Sequence, residues 1–146
     1  MLGSLRIALA AICLIAPVVA ALAEDMTVDG AWVRPSLGQT GSSALYFTIA
    51  NSGPAADSLS SVEVPEAEEV QIHSTTISDG VAGMRSLTDV PLAPGAKVVF
   101  EPKSNHVMLL GLKRPLHLGD HLPAILHFKT HAPLAVDAVV SMSVPQ

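Results

Sequence analysis

The chain has 146 residues, a formal net charge of −5, and charged side chains at only 14% of its positions. This length suits one compact domain, and no cluster of lysine or arginine is present that would favour nucleic acid or an anionic membrane as partner. Eleven prolines and ten glycines are spread along the sequence, which indicates short strands and turns rather than long helices.

The N-terminal 23 residues have the pattern of a cleaved secretory signal peptide. Residues 7–22 are almost entirely apolar, but the run is short and contains a proline, which disfavours an uncleaved membrane anchor. The small residues Ala21 and Ala23 occupy the two positions that a signal peptidase recognises. We therefore expect residues 1–23 to be removed, leaving a periplasmic domain of residues 24–146.

Cys13 is the only cysteine of the chain and lies inside the expected signal peptide. A lipoprotein signal is disfavoured because the bulky Ile12 precedes Cys13 and apolar residues continue well beyond it. Removal of the signal leaves a domain without a thiolate. Any metal chemistry in this domain must then use ligands that cannot form a disulfide.

Short apolar or alternating runs, each bounded by turn residues, predict strands along the remaining sequence. These runs are Met26–Val33, Ala44–Ala50, Ser58–Val64, Glu69–His73, Lys97–Glu101, His106–Leu110, Leu122–Lys129 and Leu134–Val144. No window of 11 or more residues after Glu24 has a clean helical period. The pattern predicts an all-β fold, an antiparallel sandwich or barrel. Alternation in the last run also predicts that Met142 is buried in the core.

Two histidines and two methionines form the most informative set in the sequence, namely His73, Met84, His106 and Met108. Met84 follows Gly83 in or after a turn. His106 and Met108 are two residues apart on one predicted strand, so their side chains leave the same face with Cα atoms roughly 6.5–7 Å apart. Two long side chains at this spacing can converge on one ion.

The donor types in this set favour Cu(I). Thioether sulfur and neutral imidazole are soft or intermediate ligands, which Cu(I) accepts, whereas Ca²⁺ and Mg²⁺ prefer oxygen. Zinc would favour cysteine, histidine or carboxylate, and a blue-copper centre requires a cysteine thiolate. His117 and His121, which flank a Gly-Asp turn, are candidates for at most a weak secondary site.

The spacing His73-x10-Met84-x21-His106-x-Met108 resembles the signature of the periplasmic copper chaperones of the PCuAC type. The segments Ala31–Pro35 and Ala44–Ile49, and the sequence after His106, are also similar to this family. The resemblance implies a cupredoxin-like, Greek-key β-sandwich that binds Cu(I) at the four residues. It further implies delivery of copper toward the copper centre of cytochrome c oxidase, to an oxidase subunit or to a thiol-bearing copper assembly factor.

The sequence departs from the family pattern at three places. Residues 102–105 read Pro-Lys-Ser-Asn where the family usually has a glycine-rich turn before the third ligand. Ser74 stands where many members have a methionine directly after the first histidine, a position outside the four-ligand spacing. The sequence up to Gln146 also has no tail rich in histidine and methionine, which some members use for a second copper site. The resemblance therefore does not extend to a second, Cu(II)-type site.

An enzymatic function is not expected. The sequence contains no nucleophile elbow, phosphate-binding loop or Ser-His-Asp pattern. The alternative to copper carriage is a different class of protein, a secreted, metal-free β-sandwich that binds protein or carbohydrate. The four-residue spacing favours the copper chaperone, and the copper content of the purified protein distinguishes the two.

Overall fold

The computed structural model describes residues 25–36, 38 and 41–146, so the expected signal peptide lies outside the described residues. Ten strands form in this part of the chain. They are β1 (Met26–Val33), β2 (Ser43–Asn51), β3 (Asp57–Glu63), β4 (Ala67–Ser78), β5 (Val81–Leu87), β6 (Val90–Leu92), β7 (Lys97–Val99), β8 (Asn105–Leu112), β9 (His121–Phe128) and β10 (Leu134–Val140). The described residues contain no α-helix, and hence none that is long and apolar enough to cross a membrane.

All ten strands belong to one mixed sheet. Its order is β5-β4-β8-β2-β1-β10-β9-β3-β6, and β7 pairs with the second half of β2. Every pairing is antiparallel except that of β1 with β10, where Trp32 lies opposite Val139 and Val33 opposite Val140. The prediction of an all-β fold is confirmed, with one parallel pair in an otherwise antiparallel arrangement.

Alternation along the strands separates a buried face from an outer face. On β2, Leu45, Phe47 and Ile49 are buried in the hydrophobic core, and on β8 Val107 and Leu109 are fully buried with them. The intervening residues of both strands therefore point to the outer face. This alternation places every second residue of β2, β4 and β8 on one continuous outer surface.

A tight hairpin joins β4 to β5 at one edge of the sheet. Asp79 and Gly80 both have positive φ angles, 51° and 76°, as expected for a two-residue turn of the type that favours Asp-Gly. All residues of β5 except Leu87 are exposed. Because only its last residue, Leu87, packs against the core, β5 lacks the alternation that reveals a half-buried strand.

The predicted strands agree with the observed ones at most places. The strand predicted over Glu69–His73 is longer, since β4 runs over Ala67–Ser78. β5 and β6 were not predicted, and Met84 therefore lies within a strand rather than in a turn. The last strand ends at Val140, not at Val144. The prediction that Met142 is buried was wrong. Its side chain is 71% exposed, because the chain leaves the sheet before this residue.

Candidate metal centre

β8 presents His106 and Met108 on the outer face of the sheet. Their neighbours Val107 and Leu109 are fully buried in the core, so the alternate residues His106 and Met108 point to the opposite face. His106 is itself buried, whereas Met108 is half-buried. The predicted placement of His106 and Met108 on one face is confirmed.

β4 brings His73 to the same place. In the antiparallel pairing of β4 with β8, His73 lies directly opposite His106, and Gln71 lies opposite Met108. The two imidazole rings meet edge to face, with centroids 5.6 Å apart and planes at 77°. Directly opposed residues of an antiparallel pair have Cβ atoms about 5 Å apart, so both rings can reach a single ion.

Met84 reaches the group from β5. It lies opposite Thr75, which is two residues beyond His73 on β4 and therefore points to the same face. The Met84 side chain is 62% exposed and, together with His106 and Met108, lines an open cleft of about 510 Å³. We call this depression the ligand cleft. The structure thus brings all four sequence-predicted residues to one region of the outer face. Three of them line the ligand cleft, and His73 lies next to it through its pairing with His106.

Hydrogen bonds orient the two imidazole rings. His106 Nδ1 lies 3.1 Å from the carbonyl oxygen of Ser104, and His73 Nε2 lies 2.8 Å from the side-chain oxygen of Gln71. Because these oxygens only accept, the two ring nitrogens donate. The Gln71 amide nitrogen donates in turn to Glu69, which fixes the orientation of the amide. Each neutral ring is therefore left with one nitrogen that carries a lone pair.

The free lone pair of His73 has no partner in the described part of the chain. His73 Nδ1 is buried, and no protein atom donates a hydrogen bond to it. A buried polar atom without a partner costs about 1–3 kcal/mol, so such atoms are rare outside functional sites. The opposed rings, the orienting hydrogen bonds and this unpaired nitrogen fit a soft metal ion bound between the strands.

An aromatic ring and a guanidinium group, those of Tyr46 and Arg34, line one side of the ligand cleft. Trp32 and Tyr46 stack with ring centroids 4.6 Å apart, and the Arg34 guanidinium lies 5.9 Å from the Tyr46 ring centroid. Burial raises the pKa of Tyr46, although the nearby charge of Arg34 acts in the opposite direction. Sequence reasoning used Trp32 and Arg34 only as marks of resemblance. The contact of Trp32 with Tyr46 and the position of Arg34 in the cleft depend on the register of β1 and β2, which connects residues distant in sequence.

The other histidines interact with different carboxylates. His121 Nδ1 lies 2.7 Å from Asp137, and His117 Nδ1 lies 3.7 Å from Asp120, which also contacts Arg114. His117 and His121 thus have separate acidic partners. Within the described residues, no group of three or more histidine, cysteine, aspartate or glutamate side chains is arranged to hold a metal ion.

Comparison with known proteins identifies the family. The profile described as "Putative lipoprotein LpqE-like" matches residues 26–140, most of the chain. The chain belongs to the LpqE-like family. A relative from Leifsonia xyli subsp. xyli, named "Putative lipoprotein Lxx21020", is 26% identical over 78% of this chain and 69% of its own length. The chain spans about two thirds of the length of the curated relatives that it matches.

Solved structures place this LpqE-like protein with the PCuAC domains. The apo PCuAC domain of PmoF1 has a TM-score of 0.67 at 25% identity, covering 80% of this chain and 93% of that domain. The solution structure of CuI-DR1885 from Deinococcus radiodurans has a TM-score of 0.64 at 26% identity and covers 85% of each chain. The cupredoxin-like fold and the membership of the PCuAC type are therefore confirmed.

Membership of the family also bears on two broader predictions. PCuAC-type proteins are metal-binding and not enzymes, which agrees with the prediction that this chain has no enzymatic activity. The family description and the name of the Leifsonia relative both denote lipoproteins, a class of extracytoplasmic proteins. The LpqE-like protein is accordingly assigned outside the cytoplasm.

Proposed function

We propose that this LpqE-like protein binds one Cu(I) ion through His73, Met84, His106 and Met108 and delivers it to another protein. The observation that carries the proposal is the buried, unpartnered Nδ1 of His73, which lies on a ring directly opposed to that of His106. A coordinated Cu(I) would use this lone pair and the free Nε2 of His106. The thioethers of Met84 and Met108 in the same cleft would complete the set.

The chemistry of these donors selects the ion. Two thioethers and two neutral imidazoles carry no negative charge and provide soft or intermediate donors, which suit Cu(I) better than Zn²⁺ or Ca²⁺. A copper(I) form is known for DR1885, a structurally similar protein. Its existence supports Cu(I) as the cargo here.

Delivery is favoured by the openness of the site. Met84 is mostly exposed, and no anionic ligand anchors the cation, so an acceptor with thiolate or additional donor groups can displace the ligands one at a time. We propose that the recipient is an oxidase subunit or a thiol-bearing copper assembly factor. The copper would then serve assembly of the copper centre of cytochrome c oxidase.

The compartment follows from the proposed leader. Residues 1–23 would direct export, and residues 24–146 would act in the periplasm after cleavage. An oxidising compartment suits a copper site built from thioethers, because these ligands do not form disulfides. N-terminal sequencing of the exported protein tests the cleavage after Ala23.

The function is tested by a Cu(I) competition titration followed by transfer. Purified protein is titrated anaerobically against a Cu(I)-specific chelator, and the loaded protein is then mixed with the apo copper domain of an oxidase subunit. We expect one Cu(I) per chain and its appearance on the oxidase domain. Absence of Cu(I) binding would contradict the proposal and favour the metal-free binding module. Binding without transfer would contradict the proposed delivery to the oxidase subunit.

A further inference from the structure

A second depression adjoins the ligand cleft. This side cleft, of about 430 Å³, is lined in part by Met108 and Met142. Arg34, Ala44, Tyr46 and Met108 line both depressions, so the two clefts adjoin along these four residues. Ala44, directly opposite Met108 across β2 and β8, has a small side chain. Met108 therefore borders both the ligand cleft and the cleft that Met142 lines.

The position of Met142 is set by its flanking residues. After β10 ends, the backbone N–H of Ser141 donates to the carbonyl oxygen of Val33 over 2.9 Å. Farther along, the side chain of Val144 lies near Gly30, where an added Cβ would be 3.8 Å from Val144 Cγ1. Both ends of this short segment thus lie along β1. Met142, between them, reaches the side cleft.

Core packing does not account for Met142. Its side chain is 71% exposed, whereas the core methionine Met26 is 2% exposed. Met142 lines the side cleft together with Met108, and its exposed sulfur is available to bind a soft cation. Its exposure also makes it accessible to an acceptor protein.

The charges that line the two clefts favour weak retention of the ion. Arg34 lines both clefts and Lys103 lines the ligand cleft, while none of the described residues that line either cleft is acidic. The bound ion would carry a positive charge that its neutral ligands do not cancel. Repulsion from these two cations lowers the free energy needed to release it.

We propose that Met142 is an additional thioether ligand that, with Met108, holds Cu(I) in the side cleft while the ion leaves the four-residue set. The inference rests on the proposed function. The step is a ligand exchange: the bonds from Cu(I) to the two imidazole nitrogens and to the Met84 sulfur break as a bond to the Met142 sulfur forms. Copper remains Cu(I), and no proton or electron is transferred. Met108 stays bound throughout and connects the two positions.

Methionine methyl NMR tests the proposal directly. The protein is labelled with ¹³C at the methionine methyl groups and titrated anaerobically with Cu(I). We expect the resonances of Met84 and Met108 to shift and that of Met142 to shift or broaden with them, while that of the buried Met26 stays in place. Shifts of the Met84 and Met108 resonances without a shift of the Met142 resonance would contradict the role of Met142 but not the proposed function. If none of the three moves, the proposed function itself fails.

A matched pair of variants provides the second test. Met142→Leu keeps the apolar volume and removes the sulfur, whereas Val144→Ala alters the same segment without touching a donor. For Met142→Leu we expect at most a small loss of equilibrium affinity for Cu(I) but a several-fold slower transfer to a chelating acceptor such as bicinchoninate. Val144→Ala should transfer at the wild-type rate. Equal rates for Met142→Leu and wild type would contradict the relay.

Discussion

His73 and His106 oppose each other directly across β4 and β8, yet they use opposite ring nitrogens for hydrogen bonding. His73 donates from Nε2 to Gln71, and His106 donates from Nδ1 to Ser104. The two rings thus differ in tautomer, and each is held with one lone pair free. This arrangement provides two nitrogen donors of fixed direction on adjacent strands.

The first prediction concerns these tautomers. When both rings are neutral in the metal-free protein, His73 should be the Nε2–H tautomer and His106 the Nδ1–H tautomer. Long-range ¹H–¹⁵N correlation spectra distinguish the two forms. Observation of the same tautomer in both rings would mean that one of the orienting hydrogen bonds is absent.

The second prediction concerns the partner of His73. Gln71→Leu removes the oxygen that accepts the His73 N–H while keeping a side chain of similar size. Loss of such an orienting partner typically lowers metal affinity about 10–100-fold, and we expect Cu(I) affinity to fall within that range. Chelator competition measures the change. Glu69→Gln, which keeps a hydrogen-bond acceptor near Gln71, is the control and should have a much smaller effect.

The third prediction separates binding from stability at two methionines. Met84→Leu alters a mostly exposed side chain, so the free energy of unfolding should change by less than about 0.5 kcal/mol while Cu(I) affinity falls. Met26→Leu alters a buried side chain and should cost up to about 1.5 kcal/mol without changing Cu(I) affinity. Denaturation and chelator competition on both variants check this. A normal affinity in Met84→Leu would remove Met84 from the ligand set.

The sequence predicts those features of the site that depend on residues close together in the chain, and not those that depend on distant strands. The common face of His106 and Met108 follows from strand alternation, which is local, and it was predicted correctly. The opposition of His73 to His106 depends on the register of β4 and β8, which three other strands separate in the sequence, and no local pattern specifies this register. Only the family resemblance placed His73 with the other residues.

The errors have local causes as well. β5 was missed because its residues are exposed on both faces, although Asp79 and Gly80 are a hairpin signal. Met142 was predicted as core because the alternation of β10 continues in the sequence beyond the end of the strand. The alternation does not reveal that the chain leaves the sheet after Val140.

The fourth prediction concerns acid stability. Burial raises the pKa of Asp57, but the backbone N–H groups of Ser58, His131 and Thr130 outweigh this effect and hold the pKa below its usual range. A carboxylate with a lowered pKa stabilises the fold above the unfolded-state pKa of about 3.9. This contribution disappears as the pH falls through the folded-state pKa.

Asp57→Asn should therefore lower the free energy of unfolding by about 1 kcal/mol at neutral pH, with a smaller difference from wild type in acid. Urea denaturation across the acid range measures both values. Asp89→Asn, at a carboxylate that contacts only the Thr88 hydroxyl among the described side chains, should differ little from wild type at any pH. A difference for Asp57→Asn that grows toward low pH would contradict the sign of the effect.

The proposed site requires that nitrogen and sulfur bind the same Cu(I) ion. X-ray absorption of the protein loaded with one equivalent of Cu(I) measures this coordination, since sulfur and nitrogen scatter differently at the copper edge. We expect a mixed shell of imidazole nitrogen and thioether sulfur, with the sulfur contribution reduced in Met108→Leu. A shell of only nitrogen or oxygen in the wild-type protein would mean that the methionines do not bind the ion.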